Sequence, residues 1–140
     1  VNKMNNKFIG KSVKTGKMIR ADNKIYDKKT DTYYLIPDLF KNETLNVCNK
    51  KALFKYKIET DSLGEAVATD NHGNTIYTGD TVQIEYYSIT APQKSKISVM
   101  ATVRLDFERK IYYMHSVDNQ AFLFTGDTQH FISSITRIGR

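Results

Sequence analysis

The sequence has a single cysteine, Cys48, and no tryptophan. One thiol cannot close an internal disulfide or build a zinc site with more than one cysteine ligand. Nothing therefore points to an oxidising compartment. No apolar run reaches the roughly 18 residues of a membrane-crossing helix, and no signal-peptide pattern is present. A soluble, cytoplasmic protein without a membrane partner is expected. Also missing are a glycine-rich phosphate loop and a pair of histidines four apart with a glutamate between them. These absences remove the commonest nucleotide-binding and metalloprotease patterns.

What is there is lysine, unevenly spread. Residues 1–60 carry 14 Lys or Arg against 6 Asp or Glu, a balance of +8; residues 61–140 carry 7 against 9, a balance of −2, and the two sum to the net +6. Clustered positive charge attracts phosphate backbones and acidic proteins. Lysine predominates over arginine, which fits diffuse solvation better than bidentate phosphate recognition. A chain of 140 residues can bury a core without staples. It is read as two regions packed as one unit: a basic lobe over 1–60 and a second region over 61–140.

The pattern is mainly β, of the α+β class. Residues 6–37 read as a three-stranded meander, with Gly16 of "KTGK" supplying a positive φ and "DKKTD" a polar turn. Residues 42–57 are the best helical candidate, with Asn42 or Thr44 as cap, although "ALFKYKIE" also suits a strand. A helical turn is expected at 61–66, capped by Asp61 or Ser62. From Thr81 onward alternation is cleaner. Val82, Ile84 and Tyr86 share one face, and Thr81, Gln83, Glu85 and Tyr87 the other. Residues 88–96 read as a mobile polar loop. Val99, Ala101, Val103 and Leu105 alternate next, followed by Ile111, Tyr113, His115 and Val117. With "AFLF" and "FISSITRIG" this makes about five short strands with no helix between them, the pattern of a small closed or partly closed barrel.

Between the two regions lies "DNHGNTIYTGDTVQI" (70–84). Asp70 can accept backbone N–H bonds in a tight turn whose left-handed position falls to Gly73, and Ile76 returns to the core. Gly79 and Asp80 form a second corner. A calcium loop counted from Asp70 would need Gly at position 6 and Glu at 12, but the chain offers Thr75 and Thr81 there. The stretch reads as architecture, with no metal.

Residues 57–84 resemble the signature of the YopX family of phage and prophage proteins. Ser62, Leu63 and Gly64 match its first segment. Asp70, Gly73, Ile76, Tyr77, Gly79, Asp80 and Val82 match its "D-x-x-G-x-x-I-Y-x-G-D-x-V" segment. Phe8 and Met18 are similar to its N-terminal segment, and Ile138 and Gly139 to its closing strand. Gly10-Lys11-Ser12 stands where the family usually has an aromatic followed by Asp. The resemblance implies a small N-terminal β lobe followed by an SH3-like β-barrel, and an origin in phage or prophage; the short helix of the lobe comes from the reading of 42–57. The resemblance implies no catalytic residue, and no cofactor is expected.

Candidate chemistry is sparse. His72 sits at a turn tip, His130 near a solvated loop, and His115 in a strand as a hydrogen-bonded core or edge residue. Cys48 beside Lys50 and Lys51 reads as packing rather than as a nucleophile. Asp70 and Asp80 are turn-formers, and Asp127 repeats the "GD" turn. These residues imply a non-enzymatic role, with two binding readings. Outward aromatics, namely Tyr87, Tyr112, Phe122 and Phe124, would anchor a protein partner from host or phage. Opposite charge on the two regions favours homo-oligomers. Alternatively, Lys11, Lys14, Lys17, Arg20, Lys24, Lys28 and Lys29 of the basic lobe would contact nucleic acid.

Overall fold

Short alternating segments broken by turn residues place most of the described residues in β-strands. The computed structural model describes residues 6–36, 53–88 and 95–140. The chain divides into two compact units, Val1–Ala66 and Val67–Arg140. The protein is mainly β, with its sheets curled into half-barrels.

In the first unit, β1 (Phe8–Lys11) and β2 (Met18–Ala21) form one antiparallel hairpin; β3 (Asn23–Asp27) and β4 (Thr32–Ile36) form another. Gly16 takes φ +71° in the first turn, as "KTGK" requires. The expected three-stranded meander is corrected to four strands in two sheets. The chain changes sheet at Asp22, since β2 pairs with β1 and β3 with β4. One polar residue carries that break, too little to interrupt a reading by hydrophobic pattern.

The helix expected over 42–57 falls outside the described residues as far as 52, taking Asn42, Thr44 and Cys48 with it. Its C-terminal part is a single 3-10 turn, Phe54–Tyr56, which leads into β5 (Lys57–Ile58), paired with β4. The second expected helical turn is also corrected. A 3-10 turn spans Thr60–Ser62 without a side-chain cap, and β6 (Gly64–Thr69) starts at once. The Ser62 hydroxyl serves the strands instead, donating to the Glu59 carbonyl at 2.6 Å and accepting the Lys11 N–H at 2.7 Å.

Ala21, Leu35 and Ile58 form the core of this unit, with Phe8, Ile19, Tyr33 and Leu63 packed around them. The two sheets approach closely at Gly10, where a Cβ would lie 2.6 Å from Ile58 Cδ1. That contact gives the glycine a packing reason.

In the second unit, the end of β6 adjoins β7 (Thr75–Tyr77). Five further strands are β8 (Thr81–Ser88), β9 (Ile97–Asp106), β10 (Ile111–Ser116), β11 (Ala121–Leu123) and β12 (His130–Gly139). They form one antiparallel sheet in the order β11-β10-β9-β8-β12. Residues 89–94 of the loop expected to be mobile lie outside the described residues. Val82, Ile84 and Tyr86 face inward as the alternation requires, with Ala101, Val103, Met114 and Phe122 completing the core.

β10 departs from its pattern. Met114 is buried between Val103 and Phe122, its partners in register, so Ile111 and Val117 face out. Tyr113 and His115 share that outer face. A strand whose two faces are both partly apolar is ambiguous by one residue, and a one-residue slip exchanges the faces. Among the described residues no helix is long and apolar enough to cross a membrane.

Candidate functional site

The conspicuous stretch at 70–84 joins the two ends of the second unit. Asp70 Oδ1 accepts the N–H groups of His72 (2.9 Å) and Asn74 (2.8 Å), closing a turn in which Gly73 has φ +84°. Its Oδ2 accepts the Arg137 N–H of β12 at 2.9 Å. Asn71 continues the same contact: its N–H donates to the Ile135 carbonyl at 3.1 Å, and its Oδ1 accepts the Ile135 N–H at 2.7 Å. These bonds lie on the side of β12 away from β8. The turn therefore closes an edge that would otherwise present unpaired backbone groups. Burial alone would push the Asp70 carboxyl up, but the N–H donors of Arg137, Asn74 and His72 outweigh it and hold the group at about 2.

Asp80 is fully buried. It accepts the Tyr77 N–H at 2.8 Å, Arg137 Nε at 2.7 Å and Arg140 Nη1 at 3.0 Å. Gly79, at φ +91°, donates its N–H to the Val103 carbonyl, and Val103 returns the bond to Asp80. Ile76, Tyr77 and Val82 beside it have no exposed surface. All seven motif residues thus have structural work. The sequence pattern assigns Asp80 to a corner and does not reveal the arginines, which lie 57 and 60 residues away along the chain.

The tetrapeptide Thr-Gly-Asp-Thr occurs at 78–81 and again at 125–128. At the second site Gly126 has φ +74°. Asp127 accepts the N–H groups of Leu123, Gln129 and His130 at 2.9–3.1 Å. Burial opposes ionisation of its carboxyl, yet these bonds and the His130 side chain lower it below the usual range.

His130 is buried, not solvated, which corrects the expectation for it. Its Nδ1 lies 3.1 Å from Asp127, its Nε2 lies 2.9 Å from Gln120 Oε1, and its ring stacks on Phe122 at 4.0 Å. The sequence signal for this cluster is the repeated "GD". His72 is exposed at its turn tip, and His115 Nε2 lies 3.3 Å from Asn119 Oδ1 on the outer face. Among the described residues no cluster of three His, Cys, Asp or Glu could hold a metal.

The four expected interface aromatics separate. Phe122 is fully buried against Tyr86 and His130, so its placement on the surface is corrected. In register it pairs with Met114, on the inward face of β11. Tyr87 is half-buried on the outer face with the Lys96 ammonium 5.9 Å above its ring. Tyr112 and Phe124 come together. They line a groove of about 500 Å³, open on one side, with Val67, Ile111, Leu123 and Ile135, and threonines 69 and 125. No lining residue is charged. A volume of this size accepts a small apolar group or a partner's side chain.

The seven basic residues expected to contact nucleic acid lie on three strands and two turns of the first unit. Lys11 lies 3.7 Å from Glu59 in an exposed ion pair. Lys14 and Lys17 flank the β1–β2 turn, and Arg20 lies on β2. Lys24 lies on β3, and Lys28 and Lys29 on the turn between β3 and β4. Lys14, Lys17, Lys28 and Lys29 have no ion-pair partner among the described residues. Comparison with protein-family models, curated proteins and solved structures gives no match.

Proposed function

We propose that this protein is a non-catalytic phage or prophage accessory protein of the YopX type, acting by protein–protein binding. Its second unit is an SH3-like barrel that docks a partner, a host or defence protein, and the chain also self-associates. The observation that carries this reading is the uncharged groove where Tyr112, Phe124 and Ile111 meet. Desolvated pockets that accept an aromatic or branched side chain dominate protein interfaces energetically. Asp70, Asp80 and Asp127 accept bonds that hold turns and the closing strand in place, and Asp127 and His130 also bond to each other, so each has an architectural part in the unit that carries the groove.

The test is capture from bacterial host lysate, with nuclease, comparing the wild-type chain with Ile111→Glu. Ile111 is 39% exposed, so the charge enters the groove rim without entering the core. The expected result is a discrete partner protein retained by wild type and lost by the variant at an unchanged melting temperature. Equal recovery by both proteins would sink the groove as the docking site. Light scattering of the same samples reads the self-association.

A further inference from the structure

The first unit holds a second feature that the groove does not use. Tyr26 on β3 is 46% exposed and takes no part in the core of its unit. Its ring rests on Tyr33, its partner across the hairpin, with centroids 4.7 Å apart and planes tilted by 33°. Its hydroxyl donates to Asp31 Oδ1 at 2.7 Å, which raises the phenol above its ordinary value and keeps it neutral. The ring is thus held in place while nearly half of the residue stays exposed to solvent. Two residues away, the Lys24 ammonium lies 4.9 Å above the Phe8 ring and 5.7 Å above Tyr33. Beyond Tyr26 the turn carries Lys28 and Lys29, without ion-pair partners among the described residues.

We propose that the β3–β4 hairpin is a platform for single-stranded nucleic acid, with a base stacked on Tyr26 and Lys24, Lys28 and Lys29 facing the neighbouring phosphates. An anchored, exposed aromatic ring among cations is the arrangement that binds single strands without reading sequence. The carboxylates on the hairpin limit the charge term. Asp27 accepts the Lys29 N–H and Asp31 the Tyr26 hydroxyl, so three lysines face two acids. With a local excess of one positive charge, stacking must supply much of the affinity. That favours unpaired bases over a duplex, whose base faces are covered. It also argues against an acidic protein, which would need the lysines and not the ring.

The experiment is fluorescence anisotropy of a fluorescein-labelled 15-nucleotide oligo-dT with the full chain. Three phosphate contacts to a single strand give a salt slope near −2, about a 20-fold loss between 50 and 200 mM. Tyr26→Ala should weaken binding about 5- to 150-fold, the worth of one stacked base. Tyr26→Phe, which keeps the ring, should restore it, and Lys28→Glu with Lys29→Glu should weaken binding and flatten the salt slope. Circular dichroism of each variant reads the fold. No binding at 50 mM overturns the proposal, as does binding indifferent to Tyr26→Ala. A poly-glutamate peptide that competes equally, with or without the ring, would assign the hairpin to an acidic protein instead. None of these outcomes depends on the groove of the second unit.

Discussion

The two units use charge in opposite ways. Residues 1–66 carry 14 basic against 8 acidic side chains, a balance of +6; residues 67–140 carry 7 against 7, a balance of zero. In the second unit three aspartates are structural. Asp80 holds Arg137 of the closing strand and Arg140 just after it, Asp70 closes that strand's outer edge, and Asp127 holds the turn before it. In the first unit Lys14, Lys17, Lys28 and Lys29 have no ion-pair partner among the described residues. These charged side chains therefore carry different expectations: fold for the three aspartates of one unit, surface for the lysines of the other. Net charge speaks to partners, and buried charge speaks to architecture.

The sharpest way to break this comparison is Asp80→Ala. It would leave the Tyr77 N–H without its acceptor and two guanidinium groups facing an empty site. Removing one partner of a buried, hydrogen-bonded ion pair costs about 3–5 kcal/mol. In a domain of this size that lowers the melting temperature by about 12 °C or more, readable by circular dichroism. A shift of a degree or two would mean that the arginines and Asp80 are solvated ornaments.

Gly10→Ala is the counterpart in the first unit. Its new methyl would meet Ile58 Cδ1 at 2.6 Å and Ile58 Cβ and Cγ2 at 3.2 Å. Overpacking of this kind costs about 1–3 kcal/mol, measurable from urea midpoints. A neutral result would show that the two small sheets can part without loss, and that the lobe has no fixed core to protect.

Much of this is legible in the sequence, for reasons that can be named. Val82, Ile84 and Tyr86 alternate against polar neighbours, so one face had to be buried, and it is. Gly73 and Gly79 sit where turns need positive φ. The roles of Asp22 and β10 are not legible. A single aspartate changes the sheet, and Met114 competes with Ile111 and Tyr113 for the inward face on nearly equal terms. The partners of Asp80 are illegible for a different reason. Nothing local to Asp80 distinguishes a corner aspartate that caps a turn from one that also holds side chains some sixty residues away. Of the four aromatics expected at an interface, Tyr112 and Phe124 meet in one groove, whereas Phe122 lies in the core. Distinguishing them requires knowing which face of a three-residue strand is covered.

A pH titration sharpens the contrast within the second unit. The Asp70 carboxyl lies at about 2 in the folded chain, against 3.8 when unperturbed. Its folded value is depressed, so its contribution is fully present above about pH 4 and is lost as pH falls toward 2. Asp127, also lowered, adds in the same direction. After allowance for partial solvent screening, Asp70 supplies roughly 1–2 kcal/mol. Urea midpoints between pH 2.5 and 6 should therefore rise with pH in the wild type and rise less steeply in Asp70→Asn. Parallel curves for the two proteins would deny the carboxylate its role on β12.

The smallest expected effect completes the comparison. Replacing Lys14, Lys17, Lys28 and Lys29 by glutamine, one at a time, should move stability by no more than about 0.5 kcal/mol each. These side chains have no ion-pair partner to lose among the described residues. Each replacement also removes repulsion within a unit of net +6, so the direction should be neutral to slightly stabilising. Melting curves at about 20 mM and about 300 mM salt separate the two contributions, because screening abolishes the repulsive part and leaves lost packing untouched. A loss of about 1 kcal/mol or more at either salt, well outside the usual surface range, would mean that the lysines hold the first unit together. Their excess would then belong to the fold, and the reason to look for a negatively charged partner there would disappear.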